Sequence, residues 1–283
     1  MTVSVTGKEE SAVVKTLYVT DLDATLLRND KTISQFSLET INNLMQKGVL
    51  FTYATARSYV SAKPVLCGLV PNAPSVIYNG TFLKNNDTGE QILLHRFHGD
   101  EGEKILDAII SHGIYPLVYA YVDGQECFSY VHEKLSQGEL EFILEHSEDE
   151  RKHPVCENEL KNGEIFHFVC IEEEEKLRPI YDELKNDYQC VLYKEQYSDK
   201  WWLEIHPKQA TKANAISYLA CLLGCSRIVC FGDGVNDMSM FRIANESYAV
   251  ANADEELKKI ATGIIESNEN DGVAKWLANN VKI

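Results

Sequence analysis

Leu17-Tyr18-Val19-Thr20-Asp21-Leu22-Asp23-Ala24-Thr25 carries an apolar run straight into two carboxylates. Side chains alternate along an extended strand, so Asp21 and Asp23 would share a face if strand geometry continued, with Leu22 turned to the core. Carboxylates at a strand end suit metal-assisted phosphoryl chemistry. One can attack phosphorus, and its neighbour can pass a proton to the leaving group. In a chain with 43 acidic residues, a polar turn closing a strand is the better explanation of an isolated Asp-x-Asp. The remainder of the chain has to supply the other parts of a site.

Downstream, Ser34 can cap a helix whose apolar positions Leu38, Ile41, Leu44 and Met45 recur at helical spacing and stop at Gly48. Val49 to Ala54 reads as a strand, a helix starts near Ser58, and Ser75 to Tyr78 reads as a short strand before Asn79-Gly80. Strands separated by helices imply parallel β-α-β units. A different module begins near Lys84. Strands are expected over Gln91–Phe97, Tyr115–Val122, Glu126–His132, Ile165–Ile171 and on to Tyr197, with helices over Asp100–His112, Gly138–His146 and Glu173–Leu184. That mixture predicts an α+β domain with a largely antiparallel sheet. After Trp202 the α/β pattern returns, with a strand at Leu203–Ile205, a helix over Thr211–Leu223 and a strand at Ile228–Phe231. Helices are expected over Asp237–Ala244, Glu255–Ala261 and Gly272–Asn279. The expected organisation is an extension over 1–14, an α/β core of 15–83 and 199–283, and an inserted domain of 84–198.

At 283 residues and 45% hydrophobic content the chain can bury an ordinary core. Its net charge of -16 repels a phosphate backbone and offers nucleic acid or anionic lipid no basic stripe. No apolar segment approaches the ~20 residues of a membrane span, and no secretory signal opens the chain, so the expected location is cytoplasmic. A small phosphorylated substrate held through a cation fits better, on a monomer or small homo-oligomer. Eight dispersed cysteines form no Cys-x-x-Cys pair and read as reduced core residues, with Cys221 and Cys225 on one apolar helix face and Cys230 in a strand. His132, His153 and His167 show no ligand spacing and read as surface or core residues.

A phosphoryl-transfer site needs a cation, donors on the non-bridging oxygens and a nucleophile. Thr55 follows the strand Val49–Ala54, Lys212 opens a helix, and Asp233 and Asp237 flank Gly234-Val235-Asn236 after the strand Ile228–Phe231. In parallel sheets ligands bind beyond the carboxyl ends of strands, so these segments can converge. Asp21 and Asp233 could give Mg²⁺ the few carboxylate oxygens it prefers.

In this order the segments resemble the four motifs of a haloacid dehalogenase superfamily hydrolase of the Cof type (subfamily IIB). Asp21-Leu22-Asp23-Ala24-Thr25 matches the first motif and Ala54-Thr55-Ala56-Arg57 the second. Thr211-Lys212 matches the third, and Gly232-Asp233-Gly234-Val235-Asn236-Asp237 the fourth. Tyr78-Asn79-Gly80, Ala251-Asn252-Ala253 and Asn270-Asp271-Gly272-Val273-Ala274 also resemble that subgroup, and the likeness runs from Lys15 to the end.

The resemblance implies a Rossmann-like parallel-sheet core with an inserted α+β cap of the C2 type. It implies Asp21 as nucleophile and Asp23 as general acid and base, with the Asp23 carbonyl on Mg²⁺. Thr55 and Lys212 would hold phosphoryl oxygens, Asp233 and Asp237 would serve the metal, and Asn236 would orient phosphate, metal water or Lys212. Arg57, Asn79 and Gly80 would join the substrate-binding set. The expected reaction is phosphomonoester hydrolysis, sugar phosphates foremost, with a phosphomutase or a non-catalytic phosphate-binding module as alternatives. Two positions depart from the family, which usually has glycine at Ala24 and at Ala56. A side chain held there at positive φ would cost about 1 kcal/mol or more.

Overall fold

Strands buried on both faces of a parallel sheet need near-continuous apolar sequence, and Leu17-Tyr18-Val19 provides it. The computed structural model describes residues 14–66, 68–194 and 200–282. Most of the expected extension, Cys67 and the expected end of a strand at Tyr197 lie outside the described residues. In chain order the elements begin β1 (Thr16–Thr20), α1 (Gln35–Gln46), β2 (Leu50–Tyr53), α2 (Tyr59–Leu66), β3 (Ser75–Ile77), β4 (Phe82–Lys84), β5 (Gln91–Leu94) and α3 (Glu101–Ser111). Then come β6 (Leu117–Val122), β7 (Gln125–Tyr130), α4 (Gln137–Glu145), β8 (Lys152–Pro154), β9 (Glu164–Glu172), α5 (Glu174–Leu184), β10 (Gln189–Lys194) and β11 (Trp201–His206). The chain ends through α6 (Lys212–Leu223), β12 (Arg227–Gly232), α7 (Met238–Ile243), β13 (Glu246–Val250), α8 (Glu255–Ile260), β14 (Gly263–Ile265) and α9 (Gly272–Asn280).

The described residues divide into two compact units, one made of those up to Tyr53, of Val65–Ala73 and of those from Ile216 on, the other of Ala54–Pro64 and Pro74–Ala215. In the first unit five strands, ordered β14-β13-β12-β1-β2, pair in parallel throughout. Leu17, Val19, Phe51, Val229 and Phe231 are at most 1% exposed. As expected, the Ser34 side chain caps α1 by accepting from the Ser37 N–H at 2.9 Å, and Ile41 and Leu44 form its buried stripe.

In the second unit a six-stranded sheet runs β10-β11-β9-β6-β7-β8, antiparallel except for the parallel pair β7 and β8. On one face, Val118 and Ala120 of β6, Phe168 and Cys170 of β9, and Leu203 and Ile205 of β11 pack with Ile105 and Ile109 of α3 and Leu177 and Ile180 of α5. The fold class therefore matches expectation: a parallel-sheet core with helices, and an additional sheet-containing domain.

Several details differ. The strand expected at Leu203–Ile205 in the α/β core is β11, which pairs with β9 and β10 in the antiparallel sheet. Its Trp-Trp-Leu-Glu-Ile-His alternation is what a sheet covered differently on its two faces requires. Likewise β3 pairs antiparallel with β4, and its parallel link is one bridge from Val76 to Ala54. Four short strands, β4, β8, β13 and β14, escaped the sequence reading. Cys221 is exposed rather than packed, because Ile216, Leu219 and Ala220 take the inward side of α6, and Cys225 lies beyond the helix end. The seven described cysteines are all free. Tyr119 and Tyr130 are buried in the sheet, while the half-buried Tyr115 and Tyr121 donate to Glu157 and Gln91.

Glu139 gives the second unit a pH dependence. It completes the capping box of α4, yet it is fully buried with Oε1 lacking a partner, and burial raises its pKa from 4.5 to about 7. A folded-state pKa raised above the unfolded one stabilises the protein below pH 4.5, and this stability is lost as pH rises to about 7. The shift corresponds to roughly 3 kcal/mol. Glu139→Gln should therefore flatten the fall in unfolding free energy between pH 5 and pH 8. Equal slopes for variant and wild type in denaturant melts would contradict this.

Candidate active site

In the first unit the register of the parallel strands decides what meets. Thr20 of β1 pairs with Phe231 of β12, and the Asp21 N–H donates to the Phe231 carbonyl at 2.9 Å. Asp21 and Asp233 thus leave neighbouring strand ends together. Asp21, Asp233 and Asp237 are all buried, and one oxygen from each lies within 4.8 Å of the others. The Thr25 hydroxyl donates to Asp233 Oδ1 at 2.8 Å, and Asp237 Oδ2 accepts the N–H groups of Asp233 and Gly234 at 2.9 and 3.1 Å. Three ionised carboxylates this close repel by roughly 3 kcal/mol per pair at an effective dielectric of ~20. A divalent cation removes that repulsion, and an all-oxygen set suits Mg²⁺. Asn236 sits on the short turn between Asp233 and Asp237, half-buried.

The strand geometry that would have put Asp21 and Asp23 on one face ends at Thr20. Asp21 and Asp23 stay extended, but Ala24 turns left-handed at φ 52° and ψ 10°, leaving Asp23 half-buried while Asp21 is 5% exposed. The turn is held from behind. Asn252 Nδ2 donates to the Ala24 carbonyl at 2.8 Å, its Oδ1 accepts from the Asn268 N–H, and Asn268 Nδ2 donates to the Leu27 carbonyl. Sequence reasoning noted Asn252 only as part of a resembling run and gave Thr25 no task. Ala56, the other departure, is not at positive φ.

A left-handed alanine costs roughly 1–2 kcal/mol, offset in part because glycine loses more chain entropy on folding. Ala24→Gly should consequently raise stability by about 0.5–1 kcal/mol. A denaturant midpoint at or below wild type would show that the Ala24 methyl, which is 2% exposed, contributes more by packing.

The second unit gathers Thr55, Arg57, Asn79, Gly80 and Lys212. The Thr55 N–H donates to the Val76 carbonyl at 3.0 Å, its hydroxyl oxygen accepts the Arg57 N–H, and its carbonyl accepts the Asn79 N–H at 2.9 Å. Arg57 Nη1 donates to the Ser61 carbonyl. Tyr78, Asn79 and Gly80 are consecutive left-handed residues at φ 48°, 52° and 102°. Only glycine fits the last place, since a Cβ there would lie 2.2 Å from the Thr211 carbonyl oxygen. That close approach sets the Tyr78–Gly80 turn against the start of α6, where Lys212 is 1% exposed. Asn79 Nδ2 donates to Glu204 Oε2 at 2.6 Å, a partner that sequence reasoning missed.

The family profile of haloacid dehalogenase-like hydrolases matches residues 18–277. Among curated relatives, 5-amino-6-(5-phospho-D-ribitylamino)uracil phosphatase YwtE of Bacillus subtilis is 29% identical over 280 residues, covering 91% of this chain and 95% of that protein. Putative phosphatase M6_Spy0533 of Streptococcus pyogenes is 27% identical over 283 residues, covering 93% and 98%. Among solved structures, a haloacid dehalogenase-like hydrolase from Bacteroides thetaiotaomicron matches with a TM-score of 0.76 at 22% identity, over 94% of this chain and 99% of that one. The HAD subclass IIB sugar phosphatase BT4131 matches with a TM-score of 0.73 at 19% identity, over 94% and 98%. These two show a shared fold.

Proposed function

Because the chain belongs to the haloacid dehalogenase-like hydrolase family, we propose that it is a Mg²⁺-dependent phosphatase of small phosphorylated metabolites that works through an aspartyl-phosphate. The carrying observation is the buried group of Asp21, Asp233 and Asp237 at the exits of β1 and β12. An Asp21 oxygen bonds to phosphorus as the ester bond to the substrate alcohol breaks in line, and Asp23 gives that alcohol its proton. Asp23, now a carboxylate, takes a proton from water as the water oxygen attacks the aspartyl-phosphate, releasing phosphate and free Asp21.

Thr55 and Lys212 are assigned to the non-bridging oxygens, with Arg57, Asn79, Gly80 and Asn236 in the substrate set. Asp21, Asp233, Asp237 and the Asp23 carbonyl would hold the cation, which when bound neutralises charge on the phosphoryl oxygens. The inserted segment, expected over 84–198, is assigned as a cap over the leaving group, and β11 (Trp201–His206) goes with it because it pairs in the same antiparallel sheet. Sugar or polyol monophosphates are the proposed class, in keeping with the ribityl phosphate in the names of YwtE and of YitU, 26% identical over 270 residues.

A phosphate-release screen over sugar phosphates, nucleotides, pyridoxal phosphate and 5-amino-6-(5-phospho-D-ribitylamino)uracil tests this reading. Activity should vanish with chelator and return with Mg²⁺. Asp233→Asn should raise the Mg²⁺ concentration for half-maximal rate at least about tenfold. Activity indifferent to Mg²⁺ would refute the cation assignment, and no release from any of these esters would refute the substrate class.

A further inference from the structure

Across the second unit's large sheet, β6, β9 and β11 place a row of rings on the face opposite the α3 and α5 core. Tyr119 pairs with His167, and one step beyond the Ile205–Phe168 pair the register sets His206 opposite His167. The two imidazoles stack with centroids 4.0 Å and planes 11° apart, and Tyr119 stacks on His167 with a centroid separation of 5.0 Å. Glu204 shares this face. One nitrogen of each histidine and one Glu204 oxygen lie within 4.8 Å of each other, all three residues being at most 4% exposed.

Packing alone leaves two things unexplained. Both ring nitrogens of His167 are buried without a hydrogen-bond partner, each at a typical cost of ~1–3 kcal/mol. At His206, Thr81 donates its one hydroxyl proton to the Tyr78 carbonyl at 2.8 Å, so His206 Nδ1 is the donor in its 3.0 Å contact with Thr81 Oγ1. Its Nε2 faces Glu204 Oε2, 3.2 Å away, an oxygen that already accepts from Asn79 while Oε1 accepts from Tyr193. A ring nitrogen this close to a carboxylate oxygen calls for a cation between them, a proton or a metal ion. A proton on Nε2 would satisfy that contact alone and leave His167 unpartnered, whereas a metal ion serves both rings.

We propose that His167, His206 and Glu204 form a binding site for a divalent transition metal, zinc first, built from the second unit alone. Two imidazoles and a carboxylate are a zinc donor set, whereas Mg²⁺ selects oxygen. With the ring planes nearly parallel, His167 turns about its Cβ–Cγ bond to bring a nitrogen onto the ion. The bound metal then clamps β9 to β11.

Co²⁺ titrated into the full chain in excess Mg²⁺ tests the site, since tetrahedral cobalt with imidazole ligands absorbs visible light strongly and octahedral all-oxygen cobalt only weakly. One equivalent of the strong band is expected, displaced by Zn²⁺, with Zn²⁺ also raising the melting temperature. His167→Phe keeps a stacked ring and should lose the band and weaken Zn²⁺ binding at least about tenfold. A double Cys156→Ser, Cys221→Ser variant should keep both, excluding the exposed thiols. An absent band in wild type, or an equal band in His167→Phe, overturns the proposal. Should the variant fail to fold, X-ray absorption on the Zn²⁺-loaded wild type decides: two imidazole ligands support the site and none refutes it.

Discussion

Replacing Asp21 with Asn is expected to lower the rate of phosphate release by about 10⁴-fold or more, the order of loss when a covalent nucleophile is removed. The amide nitrogen has no negative charge to direct at phosphorus, and no aspartyl-phosphate forms. The same change removes one of three buried, mutually repelling carboxylates. Without Mg²⁺ the variant should therefore be at least as stable as wild type, and the stabilisation that Mg²⁺ gives wild type should shrink. Release rates with and without Mg²⁺, paired with melts under both conditions, separate a lost nucleophile from a lost fold. A variant that still turns over at more than a hundredth of the wild-type rate would remove Asp21 from the nucleophile's place.

The parts of this protein legible in its sequence are those set by local rules. The apolar run before Asp21, the Ser34 cap and the helix opening at Lys212 each depend on a few adjacent residues, and each lies where expected. Ala24 stands out by its departure from glycine, and the left-handed backbone found there is the reason glycine is usual. What stays hidden depends on pairing between distant segments. Leu203-Glu204-Ile205 sits close to the Lys212 motif in sequence, so it reads as part of the α/β core. Its partners are β9 and β10, and only their register reveals that its outward residues face His167. His167 and His206 have no ligand spacing because an antiparallel register, not helical periodicity, brings them together. Short β13 and β14 carry too few alternations to read, yet they extend the sheet that holds Asp233.

Asp23→Asn separates the two halves of the proposed reaction. Loss of general acid and base catalysis is expected to slow turnover by about 10²–10⁴-fold, but the effect should fall unequally on the two steps. With a substrate whose leaving group needs no proton, such as a nitrophenyl phosphate, Asp21 can still take the phosphoryl group. Hydrolysis of the aspartyl-phosphate requires a proton to be taken from water, and only Asp23 is assigned to that. Covalent phosphate should accumulate on the Asp23→Asn variant and be detectable as a phosphate-mass adduct after rapid acid quench, while Asp21→Asn shows none. The half-buried setting of Asp23 fits a group that must exchange protons with substrate and water, where the buried Asp21 needs to meet phosphorus alone. If both variants lose activity and neither ever carries phosphate, direct attack by water replaces the covalent route. If Asp23→Asn hydrolyses its intermediate as fast as wild type, the base is another residue.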